Sequence, residues 1–142
     1  MAEAVKSITA STYSATTGLG IRYIGHHCYA FSGQVAPATD GSQTTLLDFT
    51  SGTGYIIGKL FMNGTNSGTS GTGFIDNFEL VFNGIVAMSY KIETKEEDMP
   101  TEIEGQILIP PQTHVLVRVR SGSNNENWTV TTSITGRVYG AE

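Results

Sequence analysis

The chain has 142 residues, with eight basic and thirteen acidic side chains and a formal net charge of −5. That length suits one domain rather than two lobes closing on a substrate, and the acidic balance disfavours a protein that binds by neutralising phosphates, so no direct nucleic-acid partner is expected. Glycine, serine and threonine make up about a third of the residues against only seven leucines, which disfavours helices, and no apolar run approaches the roughly 20 residues of a membrane span, so a soluble chain with no membrane partner is expected.

Residues 1–18, MAEAVKSITASTYSATTG, are small and hydroxyl-rich, with apolar side chains too sparse for a helical stripe or a strand face. They read as a flexible arm that orders on a partner, with Val5, Ile8 and Tyr13 as its contact side chains. They lack the basic start and apolar run of a secretory signal. Residues 19–142 read as one β-sandwich domain, in which short β-rich runs alternate with Gly, Asn and Ser breakers.

The first strand candidates are Arg22 to Val35, Thr44 to Thr50 and Tyr55 to Met62, followed by a polar, glycine-rich loop over 63–73. Next comes a hairpin turning at Asn83-Gly84, a pair suited to the positive φ angles of a type I′ turn. Phe74, Phe78, Leu80 and Phe82 share one face of its first strand. In its second, Ile85 and Ala87 oppose Val86, Met88, Tyr90 and Ile92. From Lys91 to Glu104 the chain carries six acids and two lysines, most of the net charge, and reads as a solvated loop. Glu93 to Met99 is long enough for one helical turn, ended by Pro100.

Pro110-Pro111 cannot donate ladder hydrogen bonds and marks a corner where the chain passes from one sheet to the other. Beyond it Val115, Val117 and Val119 face inward, and Arg118 and Arg120 outward. A polar loop over 121–127 leads to a last strand with Trp128, Val130, Thr132 and Ile134 on one face, then Gly136 and Val138. The total is seven or eight strands with no helix. Jelly-roll and immunoglobulin-like orders both fit, and eight strands suit the jelly roll better.

Chemical motifs are sparse. His26-His27-Cys28 offers metal-ligating atoms, but in a strand His26 and Cys28 share a face with His27 on the other, and His114 is the only further histidine, so no metal site is expected. Cys28 has no partner for an intramolecular disulfide. No serine sits in a nucleophile elbow, and the stretch 51–58 lacks the Lys-Ser/Thr ending and following helix of a phosphate loop. Asn63 and Asn127 match the glycosylation pattern without the context that gives it meaning. No catalytic residue and no cofactor is therefore expected. Among the aromatics, Tyr23, Tyr29 and Phe31 share strand parity and read as a core face, whereas Tyr55 and Trp128 are candidates for stacking on sugar rings.

The carboxy-terminal third, with its Pro-Pro corner, alternating valine strand, polar loop and final strand ending Gly-Arg-Val-Tyr, resembles small accessory β-sandwich proteins of tailed-phage virions, the capsid decoration or cement proteins. The likeness covers residues 105–140 and, more loosely, the hairpin over 73–92, and matches at Pro110, Pro111, Gly136, Arg137 and Tyr139. It implies a non-enzymatic protein on the capsid exterior, assembled in the host cytoplasm, binding the major capsid protein. Self-association as a trimer is expected, with Arg118, Arg120 and Arg137 as polar contacts. The alternative is a carbohydrate-binding module or a receptor-binding virion tip.

Overall fold

The computed structural model describes residues 20–38, 41–66, 74–94, 101–121 and 128–140, and among these every regular element is a strand. They are β1 (Arg22–Ile24), β2 (His27–Phe31), β3 (Gln43–Thr50), β4 (Tyr55–Asn66), β5 (Phe74–Phe82), β6 (Ile85–Thr94), β7 (Thr101–Ile109), β8 (His114–Ser121) and β9 (Trp128–Tyr139). Five form one sheet in the order β1-β2-β9-β4-β7, here called the front sheet, and four form the back sheet, β3-β8-β5-β6.

This order is a jelly roll. Strands pair as nested hairpins, β5 with β6, β4 with β7, β3 with β8 and β2 with β9, all antiparallel. Rolling that long hairpin over on itself adds the contacts β4–β9 and β5–β8 and closes each sheet. The two-residue turn at Asn83 (φ 51°) and Gly84 (φ 82°) is the innermost reversal, with the left-handed backbone expected there.

Alternation then fills the space between the sheets. Val115, Val117 and Val119 of β8 and Val130, Ile134 and Val138 of β9 are buried, facing Leu60, Met62, Phe78 and Leu80. The Pro110-Pro111 corner carries the chain from the front sheet to the back one. Buried Ser51 holds it: the Ser51 hydroxyl donates to the Pro110 carbonyl at 2.7 Å and accepts the Thr113 N–H at 2.9 Å, and the Gln112 N–H donates to the Gly52 carbonyl at 2.8 Å. A β-bulge between Leu80 and Val81 sets Val81 opposite Val86, and both Leu80 and Val81 are buried.

Four expectations need correction. The described residues form nine strands, because Gly25 (φ 59°) and His26 break the single run expected over Arg22–Val35 into the hairpin β1–β2. The segment expected to be a loop from residue 63 is strand through Asn66. Glu93 lies in β6, and Glu102 and Glu104 lie in β7, so the acidic run is partly sheet rather than loop, and no helical turn begins at Glu93. Residues 95–100, which complete that proposed turn, lie outside the described residues, as does the arm of residues 1–18.

Candidate binding face

The two outer faces of the sandwich differ in chemistry. On the back sheet the side chains pointing outward are largely polar and bonded to one another. The Arg118 Nε donates to Glu79 Oε1 at 2.7 Å, the Gln43 amide donates to the same oxygen at 3.1 Å, and His114 Nε2 lies 2.6 Å from Asp48 Oδ1. These groups satisfy one another, and the exposed large hydrophobics of this sheet among the described residues are Ile85 and Val86 on β6.

The front sheet presents the reverse. Six of the eight exposed large hydrophobic side chains among the described residues, Ile24, Phe31, Tyr55, Ile57, Leu108 and Tyr139, point outward from it. Strand register explains the clustering, since residues at one level of neighbouring strands form a row across a sheet. One row runs Ile24, His27, Arg137, Ile57, Leu108 from β1 to β7. Beside it Tyr55 and Tyr139 are cross-strand partners with stacked rings, 5.5 Å between centroids, and the Arg137 guanidinium lies 5.6 Å from the Tyr139 centroid. On the other side of the row, Tyr29 and Phe31 pack at 5.0 Å, and Gly20, Arg22, Tyr29 and Phe31 line a shallow depression of about 220 Å³.

Two inward-facing glycines fix the geometry beneath this row. Gly58 and Gly136 are partners on β4 and β9, directly next to Ile57 and Arg137. A Cβ on Gly136 would lie 2.9 Å from Ile56 Cγ2 and 3.0 Å from Gly58 Cα, so only a residue without a side chain lets these backbones meet there. On the flank of Gly136, Cys28 is buried. Desolvation pushes its thiol from 9.0 up to about 12, partly offset by a backbone hydrogen bond from Gly136.

The residues singled out from sequence are dispersed. His26 sits in the β1–β2 turn, its carbonyl accepting the Val138 N–H at 2.7 Å, and His27 points outward while Cys28 points inward. The expected sharing of a face by His26 and Cys28 is therefore wrong, because a turn rather than a strand holds His26. His114 belongs to the back sheet, and no group of three or more His, Cys, Asp or Glu among the described residues is placed to hold a metal ion. Tyr23, Tyr29 and Phe31 do not form a core face: the turn at Gly25 reverses the parity, so Tyr23 packs on the core while Tyr29 and Phe31 point out. Arg118 and Arg120 lie on the back sheet and Arg137 on the front, so the three arginines make no common patch. Tyr55 is on the front face. Val5, Ile8, Tyr13 and the Trp128 side chain lie outside the described residues. Ile57 and Leu108 carry the face and were not singled out, since their exposure follows from strand order and not from local pattern.

No family model matches this chain, and no curated protein matches it. Among solved structures it is similar to the infectious bursal disease virus Gx strain structure (14% identity, TM-score 0.49, covering 80% of this chain and 33% of that one). It is also similar to the VP2 subviral particle of infectious bursal disease virus (10%, TM-score 0.49, 82% and 33%). A third likeness is to the Podospora anserina GH26-CBM35 β-(1,4)-mannanase (20%, TM-score 0.41, 96% and 27%). The chain thus spans a third or less of the length of these proteins. The jelly-roll assignment itself rests on strand order.

Proposed function

We propose that this chain is a non-enzymatic structural component of a virion, a capsid decoration or cement protein that self-associates and binds the major capsid protein at the shell exterior through its front sheet. The observation that carries the reading is the contrast between the two outer faces among the described residues: a mainly polar, internally paired back whose exposed large hydrophobics are confined to Ile85 and Val86 on β6, and a front with six exposed large hydrophobics spread over all five strands. Exposed apolar surface gathered on one face marks a contact site. Standard interfaces bury about 800 Å² on each partner, and the backbone of a paired β-sheet is already ordered, which leaves mainly side-chain ordering to offset on binding. Apolar burial at this face, repeated over many copies, would strengthen a shell. The test is cosedimentation with purified empty capsids of the virus that encodes the chain, with Ile57→Asp as the disrupting variant. Saturable binding lost in that variant supports the reading, and equal binding by both proteins, or none by either, overturns it.

The stacked pair Tyr55 and Tyr139 favours a second reading, in which this end of the front face stacks on a sugar ring as a carbohydrate-binding module or a receptor-binding tip would. A glycan array separates the two: saturable sugar binding abolished by Tyr55→Ala, without capsid binding, selects this reading.

A further inference from the structure

The charge at the centre of the front face says what a partner seated there must bring. Arg137 lies on β9, the middle strand of the five. The sheet is about 20 Å across at the usual strand spacing, and a partner resting on the row from Ile24 to Leu108 covers the guanidinium between them. The surface neighbours of Arg137 are His27 and Ile57 across the strands and Thr135 and Tyr139 along its own, and none is acidic. The acids in these five strands are Glu102 and Glu104, both on β7. They pair with Asn63 and Phe61, whereas Arg137 is level with Ile57. The nearer acid is thus at least about 13 Å away along the strands, beyond the screening length of about 8 Å in physiological salt. Glu104 is also engaged, 3.0 Å from Lys59. Among the described residues the contact made by Arg137 is aromatic, to the ring of Tyr139 that stacks on Tyr55. That contact holds the guanidinium in place without neutralising it.

An entirely apolar partner would strand this charge away from water, an arrangement that opposes binding. A partner carboxylate removes the penalty, because a guanidinium bonds it through two parallel N–H groups, and a guanidinium already held on a ring loses little freedom in doing so. Arginines of this kind, central and ringed by apolar contacts that exclude water, are where binding energy concentrates. Resting on the shell-protein reading above, we infer that the capsid-protein surface seated on the front sheet presents an aspartate or glutamate to Arg137, beside His27, within an otherwise apolar patch. The apolar row then supplies contact area, and Arg137 selects the partner.

The sign of one substitution tests this, by cosedimentation of the full chain with purified empty capsids. Arg137 is exposed, so its replacement leaves the core intact, and thermal unfolding checks each variant. Arg137→Leu removes the charge and adds apolar surface. Facing a carboxylate, it strands that group and weakens binding by at least about tenfold. Facing an apolar surface, it removes an unpaired charge and binds as well or more tightly. Arg137→Lys keeps the charge without the fork and places an amine where a carbodiimide condenses it directly with the facing carboxyl group, and peptide mass mapping then identifies that acid. Wild type, which retains Lys59, is the control for this cross-link. Weakened binding by Arg137→Leu, with a cross-link to an aspartate or glutamate of the capsid protein gained only in Arg137→Lys, is the expected result. Unchanged or tighter binding by Arg137→Leu, while Ile57→Asp still loses it, overturns the acidic partner and leaves the shell reading standing. A cross-link from the new amine to a carboxyl group of this chain, in the same or a second copy, also overturns the inference, since the acid is then the protein's own. Absence of capsid binding by wild type overturns the shell reading and the inference with it.

Discussion

Gly58 and Gly136 face each other across β4 and β9 with no volume for a side chain on either: a Cβ on Gly136 would lie 2.8 Å from the Ile57 carbonyl oxygen, and one on Gly58 would lie 2.8 Å from Gly136 Cα and collide with the Thr135 carbonyl. The obstructing atoms are mainly backbone, which cannot step aside as a rotamer can. Gly58→Ala and Gly136→Ala are each expected to cost about 1–3 kcal/mol, the range for overpacking. Urea unfolding measures this. Gly25→Ala, where nothing lies within 4 Å but φ is 59°, should cost less, about 1 kcal/mol from backbone strain alone.

At the Pro110-Pro111 corner, Ser51 serves both a carbonyl and an N–H. Ser51→Ala leaves the buried Thr113 N–H without this acceptor. The expected loss is about 1–3 kcal/mol by urea unfolding. A loss indistinguishable from zero would mean that water replaces the hydroxyl.

Cys28 makes stability depend on pH at the alkaline end. Its thiol holds its proton up to about 12 in the fold, against 9.0 ordinarily. Between those values the unfolded chain releases the proton while the folded one keeps it, so the folded state loses ground as pH rises. Below pH 9 the contribution is constant. The difference in urea midpoint between wild type and Cys28→Ala should therefore shrink from pH 7.5 to pH 10.5. Thiol reagents at pH 8 should label the protein only after unfolding.

The Arg118–Glu79 pair spans two strands at 2.7 Å with both side chains somewhat over a quarter exposed. Solvent screens such a pair, so Glu79→Gln should lower stability by no more than about 1 kcal/mol. Thermal unfolding in low and high salt checks this, since added salt should narrow the difference between wild type and variant.

Much of the fold was legible where the signal was local. The valines at 115, 117 and 119, the Asn83-Gly84 reversal and the double proline each specify a face, a turn or a corner by themselves, and all three stand as expected. What local pattern missed depended on partners far away in the chain. One glycine at position 25 flipped the parity between Tyr23 and Tyr29, turning an expected core face into part of the surface. In β4, Ile56 and Ile57 are adjacent and equally apolar. Only the packing of the back sheet against one side decides that Ile56 is buried and Ile57 exposed. The front face joins residues of five strands from Arg22 to Tyr139, so it exists only once the nested pairing is known.

Light scattering after size-exclusion chromatography tests most directly whether the front sheet is the contact surface, using wild type, Leu108→Glu on the front and Thr45→Glu on the back. Both positions are exposed, so neither change disturbs the core. The account predicts a discrete oligomer for wild type and Thr45→Glu and a folded monomer for Leu108→Glu. An unchanged oligomer in Leu108→Glu, or dissociation caused only by Thr45→Glu, would contradict it.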